Sequence, residues 1–203
     1  MTGYSLQQFI ADAKEAAQQD CAPHQCVASI APRMMQLLTA PGPLPFAAEH
    51  LREDPNQTAR NLVYQSEDDT LSLYVLVWRP GQWTPVHDHG SWGVVGVMKG
   101  LLEERNYIRM NPLKAGDDHI DLRPGGIILM NPGSVTTFVP NPDHIHETGA
   151  SADGQGAVTL HLYGRNMDSY NVYDLWRRTR TRVNVAAENM DIDERVEEGS
   201  VFR

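Results

Sequence analysis

Cysteine, excess positive charge and long apolar runs are all scarce or missing in this chain. The two cysteines, Cys21 and Cys26, cannot build a disulfide framework or a four-cysteine zinc site. We expect exposed thiols in a reducing, cytoplasmic setting. No stretch is long and apolar enough to span a bilayer, and residues 1–10 lack the basic start and apolar segment of a secretory signal.

Acidic residues outnumber basic ones. Asp and Glu total 26 against 17 Lys and Arg, which gives a formal net charge of −9 and a pI near 5.3. Such a surface repels polyanions, so we expect neither nucleic acid nor an anionic membrane as a partner. A length of 203 residues suits one domain with a sizeable core. A monomer or a small homo-oligomer is expected.

The first 50 residues have a helical pattern. Ser5, followed three residues later by Gln8, forms a capping box, and apolar residues then recur at helical spacing. A second helix is predicted over residues 27–38, and Pro41-Gly42-Pro43 would end it. We therefore expect two helices before the first strand.

Short strands separated by Pro and Gly turns follow the helices. Leu71, Leu73, Val75 and Val77 alternate with other residues, which predicts a half-buried strand. Further strands are predicted over residues 94–98, 101–108, 127–130, 135–139 and 157–163. Many short strands without alternating long helices indicate an antiparallel sandwich or barrel.

The end of the sequence carries two blocks of charge, which we interpret as solvated surface rather than as a docking site. The basic block comprises Arg177, Arg178, Arg180 and Arg182. The acidic block comprises Glu188, Asp191, Asp193, Glu194, Glu197 and Glu198.

Two histidines separated by one residue occur in His87-Asp88-His89. Side chains two residues apart on a strand project to the same face, so both imidazoles would point the same way. A third histidine from another strand would complete a set of three neutral nitrogen ligands for a divalent metal with open coordination positions. His144 and His146 are both candidates for the third ligand.

The region around these histidines resembles the cupins. Gly81-x5-His87-x-His89-x3-Gly93-x6-Gly100 is similar to the first cupin motif, and Gly126-x5-Pro132 to the start of the second. Many cupins have a Glu ligand where this chain has Gly93, so a three-histidine site is left. Within the cupins, about residues 58–175 resemble the thiol dioxygenases of the cysteine dioxygenase family. The matching segments are Arg60-Asn61-Leu62-Val63, His87-Asp88-His89, His146 and Leu160-His161-Leu162-Tyr163.

The resemblance implies a mainly β fold, a cupin double-stranded β-helix (jelly-roll barrel) with N-terminal helices. It implies a single domain over residues 1–203, with a helical segment at 1–50, the barrel and metal site at about 58–175 and a tail at 176–203.

The resemblance also implies a ligand set. His87, His89 and His146 would bind Fe(II), and His146 is favoured over His144 because it lies 17 residues before Tyr163, as in the family.

Further residues take roles from the same resemblance. Tyr163 would be the active-site phenol and a substrate contact, and Thr159 and His161 would form the hydrogen-bond relay behind it. A core histidine is the alternative role for His161 and is compatible with the relay. Arg60 matches the arginine that binds the substrate carboxylate, with an ordinary structural arginine as the alternative.

Two positions depart from the mammalian enzymes. Gly93 stands where those enzymes have a cysteine cross-linked to the tyrosine, so no cross-link is expected. Thr58 stands where they have a second tyrosine, which leaves the choice of thiol open.

The implied activity is the insertion of both atoms of O2 at the sulfur of a small carboxylated thiol, giving a sulfinic acid. Arg60 favours cysteine, because relatives that act on 3-mercaptopropionate tend to carry Gln there. The alternatives are 3-mercaptopropionate and mercaptosuccinate. Two other hypotheses are a cupin that uses Ni, Mn or Zn for different chemistry and a non-catalytic cupin that senses a metal or ligand.

Overall fold

The described part of the fold is two helices followed by ten strands. The computed structural model describes residues 4–18, 22–112, 118–140 and 144–185. Helix α1 is Leu6–Gln18, α2 is Pro23–Leu38, and a short 3-10 helix is Ala48–Leu51. The strands are β1 (Ala59–Gln65), β2 (Ser72–Trp78), β3 (Gly93–Gly100), β4 (Leu102–Arg109), β5 (Leu122–Met130), β6 (Val135–Phe138), β7 (Ile145–Gly149), β8 (Ala157–Tyr163), β9 (Ser169–Asp174) and β10 (Thr179–Asn184). Among the described residues, no helix is both long and apolar enough to cross a membrane.

Local sequence features start both helices. The backbone N–H of Gln8 donates to the Ser5 hydroxyl at 3.2 Å, and the Ser5 N–H donates to the Gln8 side chain at 2.8 Å. The predicted capping box is therefore confirmed. Helix α2 begins at Pro23, earlier than the predicted residue 27, because proline at the first helical position has a helix-compatible φ and needs no N–H partner.

The strands form two antiparallel sheets. The first has the order β1-β2-β8-β3-β6. In the second, β5-β4-β7 and the pair β9-β10 are joined by the irregular segment 81–88, which hydrogen-bonds to β7 through His87 and to β9 through Val86. Inward side chains of both sheets share one apolar cluster, which includes Trp78 and Leu102. The mainly β jelly-roll fold with N-terminal helices, expected from the cupin resemblance, is confirmed.

Alternation along β2 separates two cores. Leu73, Val75 and Val77 belong to the cluster that includes both helices, whereas Tyr74 and Trp78 belong to the cluster between the sheets. All seven residues of β2 are buried. The prediction of a half-buried strand is therefore wrong, because the helices cover the face that a simple sandwich would leave in water.

The same alternation along β8 prepares the site. Leu160 and Leu162 face the helices in the first cluster. Thr159, His161 and Tyr163 therefore project from the opposite face, into the barrel. All five side chains are buried.

Several strands have too many polar residues for a sequence pattern to reveal. β1, β7, β9 and β10 were not predicted, and β10 carries part of the basic block. Arg180 lies 3.7 Å from Asp118, and Arg182 donates to the Ser169 hydroxyl at 2.6 Å. The acidic block lies outside the described residues.

The expectation of exposed thiols is wrong for Cys26. Its side chain is 3% exposed in the helical core, and it is disulfide-bonded rather than free. Cys26 lies on the buried stripe of α2 with Val27, Ile30, Met34 and Leu37. Cys21 lies outside the described residues.

The docking of α2 predicts a sharp contrast between two positions on this helix. Ile30 is fully buried and Met35 is 48% exposed. Ile30→Ala should lower the free energy of unfolding by about 2–5 kcal/mol, because it leaves a cavity. Met35→Ala should change it by less than about 0.5 kcal/mol. Urea denaturation checks both values, and equal losses would contradict the packing of α2 on the first sheet.

Candidate active site

Three histidines converge in the interior of the protein. His87 and His89 come from the irregular segment 81–88 and the residue that follows it, and His146 comes from β7. Backbone hydrogen bonds of 2.8 and 3.0 Å pair His87 directly with His146. All three side chains are buried, and one ring nitrogen of each lies within 4.8 Å of the others.

The ring nitrogens of two of these histidines have defined roles. His87 Nδ1 lies 2.9 Å from the Pro85 carbonyl, which can only accept, so Nδ1 carries the proton and Nε2 keeps its lone pair. His146 Nε2 is buried and has no hydrogen-bond partner among the described residues. An orphaned buried nitrogen is costly unless a ligand binds it.

The protonation of the three histidines also suits a metal. Burial, reinforced by the charges of the neighbouring imidazoles, lowers the pKa of His87 and of His89 well below 6.5. Burial lowers the pKa of His146 as well. Three neutral, convergent imidazoles fit a divalent metal ion of the Fe, Ni or Zn type.

The structure separates the two candidates for the third ligand. His146 groups with His87 and His89, whereas His144 does not; His144 lies in a neighbouring group with Glu104 that also includes His146. Glu104 Oε1 lies 3.1 Å from His144 Nε2 and 3.3 Å from His146 Nδ1. Burial raises the pKa of Glu104, but the hydrogen bonds from His144 and His146 outweigh it and hold that pKa well below its usual range.

Asp88 fastens the segment that carries His87 and His89. Its side chain accepts hydrogen bonds from the Asn171 amide at 2.9 and 3.1 Å and from the Tyr173 hydroxyl at 2.5 Å. These contacts tie the segment to β9. Because Asp88 points away from its two neighbours, it can act as an anchor without joining the ligand set.

A hydrogen-bonded chain runs along β8 to the site. Trp78 Nε1 donates to Thr159 Oγ1 at 2.8 Å, Thr159 Oγ1 lies 2.8 Å from His161 Nε2, and His161 Nδ1 lies 3.1 Å from the Tyr163 hydroxyl. The indole can only donate, so Thr159 accepts there and gives its own proton to His161 Nε2. His161 Nδ1 then donates to Tyr163, whose proton is left to point elsewhere.

Burial sets the protonation of this chain. It lowers the pKa of His161 to about 3, helped by the charges of His146 and Arg60. Burial also raises the pKa of Tyr163, although the charge of Arg60 opposes it. Both groups are therefore neutral near pH 7, and Tyr163 keeps a proton to donate.

A pocket of about 150 Å³ opens onto these groups. It is smaller than the roughly 300–1,000 Å³ of pockets for drug-sized ligands. Its lining residues are Gln57, Thr58, Arg60, Leu76, Trp83, Thr84, Pro85, His87, His89, Tyr163, Met167 and Tyr170. A small molecule in this pocket would contact two of the three histidines.

Arg60 is held in the wall of this pocket. Its guanidinium carbon lies 3.8 Å from the centre of the Tyr74 ring, and Nη2 donates to the Met167 carbonyl at 2.6 Å. These two contacts fix the position of the guanidinium in the pocket wall.

Close packing explains why position 93 is a glycine. A Cβ added there would lie 2.2 Å from Cζ of Phe138. The Phe138 ring stacks on His89, with ring centroids 4.4 Å apart and an interplanar angle of 21°. The space beside His89 is therefore filled from β6, and any side chain at position 93 would displace that ring.

Residues 5–178 match the family model described as cysteine dioxygenase type I. The chain belongs to the cysteine dioxygenase type I family. Its matched region includes both helices and every histidine and relay residue of the site.

Solved structures are also similar to the chain. The protein TT1209 from Thermus thermophilus is 18% identical, with 58% of this chain and 92% of that chain covered and a TM-score of 0.43. An uncharacterised protein with a double-stranded β-helix domain from Klebsiella pneumoniae is 17% identical, with 64% and 96% covered and a TM-score of 0.44.

Two residues of this cysteine dioxygenase family member escaped the sequence analysis. Tyr170 lies on β9, lines the pocket and has its ring 5.5 Å from that of His87. Glu104 is 1% exposed, and the pattern of β4 does not distinguish it from Glu103. Tyr170 lies on a strand whose polar sequence does not predict burial. Glu104 follows another glutamate, so the sequence does not indicate which of the two is buried.

The acid dependence of stability tests the burial of His161. Its pKa falls from 6.5 to about 3 on folding, so below pH 6.5 the unfolded chain binds a proton that the folded chain does not. Stability should therefore fall as the pH drops from about 6.5 towards 3. Between about pH 7.5 and 5.5, the free energy of unfolding of the metal-free protein should fall by about 1.4 kcal/mol more than that of His161→Gln. Urea denaturation at both pH values measures this difference.

Thr159→Val is the matched control for this experiment. It removes a hydrogen bond of the same chain but no titrating group, so it should keep the pH dependence of the unaltered protein. The buried ligand histidines are present in every variant, and their contribution cancels. A pH dependence in His161→Gln equal to that of the unaltered protein would contradict the prediction.

Proposed function

We propose that this chain is a non-haem Fe(II) dioxygenase that adds both atoms of O2 to the sulfur of a small monocarboxylated thiol, cysteine first. One observation carries the proposal. A single small pocket is lined by His87 and His89, by Tyr163 at the end of the β8 relay and by Arg60. A cytoplasmic setting remains part of the proposal, although a disulfide such as that of Cys26 is unusual there.

His87, His89 and His146 would hold the iron. When bound, Fe(II) would favour the thiolate form of the substrate and supply the redox chemistry for O2. The overall reaction is RSH + O2 → RSO2H. Sulfur loses four electrons and O2 gains four, so the reaction balances without a further reductant. The protein supplies position, charge and protons.

Arg60 would bind the substrate carboxylate. A guanidinium can make two charge-assisted hydrogen bonds to a carboxylate, and the Tyr74 ring and Met167 carbonyl hold Arg60 in place for them. With the carboxylate fixed, the sulfur of a short thiol would lie towards the histidines. Orientation of this kind is a large part of what an enzyme contributes.

Tyr163 would donate its proton into the pocket. The chain from Trp78 through Thr159 and His161 fills the lone pair of the Tyr163 oxygen from behind. The hydroxyl hydrogen is then directed to an acceptor in the pocket, such as a substrate carboxylate or a developing oxygen anion. Burial keeps this phenol protonated, because it raises the pKa.

The polar groups of the pocket favour cysteine among the candidate thiols. Among the described lining residues, Arg60 is the sole lysine or arginine, which disfavours the second carboxylate of mercaptosuccinate. Thr58 Oγ1 is buried at the pocket without a hydrogen-bond partner. An amino group on the substrate would satisfy this oxygen, and 3-mercaptopropionate has none.

Arg60 and His146 can be tested with a panel of thiols. Oxygen uptake by the Fe(II)-loaded protein should be seen with cysteine, and mass spectrometry should show a product two oxygen atoms heavier. His146→Ala should abolish uptake. Arg60→Ala should lower kcat/KM for cysteine by about 10–100-fold, the loss of about 1.4–2.8 kcal/mol of carboxylate binding.

Cysteamine, which has no carboxylate, is the control substrate. Its turnover should be equally slow with and without Arg60. Arg177→Ala, an exposed arginine outside the pocket, should leave cysteine turnover unchanged. No oxygen uptake with any thiol at full iron loading would sink the dioxygenase proposal.

Thr58 provides a test of the choice of thiol. Thr58→Val is nearly isosteric and removes the orphaned hydroxyl, so it should raise KM for cysteine several-fold, about 1 kcal/mol, without a matching change in kcat. KM for 3-mercaptopropionate should stay the same or fall. A parallel rise in KM for both thiols, measured by oxygen uptake, would mean that Thr58 does not read the amino group.

A further inference from the structure

A buried carboxylate behind the histidine cluster has no part in the proposed reaction. Glu104 on β4 is 1% exposed. Its Oε1 lies 3.1 Å from His144 Nε2 and 3.3 Å from His146 Nδ1, and these two nitrogens are 3.1 Å apart. Among the described residues no lysine or arginine pairs with Glu104, since Arg105 beside it pairs with Glu103 and Glu147.

Strand register places Glu104 where it can act on His146. On β4, Asn106 is the register partner of His146, and Glu104 is the partner of Thr148. Side chains two residues apart on a strand share a face. Glu104 therefore lies on the same face of β4 as the position opposite His146, one step along the strand.

Hydrogen-bond chemistry fixes the state of His146. A buried carboxylate is costly unless hydrogen-bonded, and in its ionised form it can only accept. A lone pair on His146 Nδ1 would face this carboxylate at 3.3 Å, so the proton lies on Nδ1, where it can also be shared with His144 Nε2 at 3.1 Å. This leaves the lone pair on His146 Nε2, the buried atom that has no partner among the described residues.

His144 is held in turn by an aromatic contact. Its ring stacks on Phe138, with centroids 4.8 Å apart and an interplanar angle of 10°. The same Phe138 ring stacks on His89 at 4.4 Å. The carboxylate and His144 are thus fixed relative to two of the three metal-binding histidines.

We propose that Glu104 and His144 form a positioning pair that keeps His146 protonated at Nδ1 and turns its Nε2 towards the metal. The proposal rests on the metal site proposed above. A carboxylate that accepts the second N–H of a ligand histidine orients the ring and makes it a better donor. Glu104 touches neither substrate nor metal in this role and acts through His146.

Co(II) binding to the full-length apoprotein tests the pair without any need for turnover. Glu104→Gln keeps the shape of the side chain but removes its charge, and it should weaken Co(II) binding by about 10–100-fold. The visible absorption of the bound ion measures the affinity. His144→Phe keeps the stacking on Phe138 and removes the nitrogen that shares a hydrogen bond with His146 Nδ1, so it should weaken binding by a smaller factor. Circular dichroism checks that each variant is folded.

Glu103→Gln is the matched control. Glu103 is the preceding residue of β4, and its partner is the partly exposed Arg105 at 2.7 Å. This variant should bind Co(II) as tightly as the unaltered protein. The Tm of the metal-free Glu104→Gln protein should not fall, because a buried charge is removed, whereas its rise in Tm with saturating Co(II) should shrink.

Three results would overturn the positioning role. The first is equal Co(II) affinity in Glu104→Gln and Glu103→Gln. The second is a lower Tm of metal-free Glu104→Gln with unchanged affinity, which marks a structural role. The third is two Co(II) ions per unaltered chain and one in Glu104→Gln, which marks a second metal site at Glu104, His144 and His146.

The positioning pair and the dioxygenase activity can be overturned independently of each other. An unaltered protein that binds one Co(II) ion with an affinity that depends on Glu104, yet consumes no O2 when loaded with Fe(II), would overturn the dioxygenase and leave the positioning pair standing. Turnover with an affinity that does not depend on Glu104 would do the reverse. An unaltered protein that binds no Co(II) would overturn the pair.

Discussion

Period-two alternation along β8, in a strand covered on both faces, is the constraint on which the site depends. Leu160 and Leu162 belong to the cluster with the helices, so Thr159, His161 and Tyr163 must face the barrel. A slip of one residue in register would exchange the two sets and bury the relay against apolar side chains. The helices therefore act on the site indirectly, because they hold the register of the strand that carries the relay.

Polar groups inside the barrel are tolerated where they are paired. Asp88 is paired with Asn171 and Tyr173, and the relay pairs its own members. The described atoms that remain unpaired include His146 Nε2 and Thr58 Oγ1. A protein interior retains such atoms at a cost, so their position at the metal centre and the pocket marks where ligands are expected.

The sequence predicts the strand that carries the relay and the pair His87 and His89, because both depend on local alternation that one segment displays by itself. The local pattern alone could not choose between His144 and His146, which lie two residues apart, and only the spacing of the resembling family favoured His146. That choice depends on the register of β7 against the segment 81–88, which sets His146 opposite His87. Long-range register has no local signal.

Two groups that can each take a single hydrogen-bonding role set where protons and lone pairs lie in the site. The Trp78 indole can only donate, so the relay ends with the Tyr163 proton directed into the pocket. The Glu104 carboxylate faces His146 Nδ1 at 3.3 Å, which favours a proton on Nδ1 and leaves the lone pair on Nε2. Proton donors and the charge of Arg60 thus act on one part of the pocket, and nitrogen lone pairs lie at another. An anionic group would fit the first part and a cation the second, and the proposed reaction of a carboxylated thiol beside a metal needs this asymmetry.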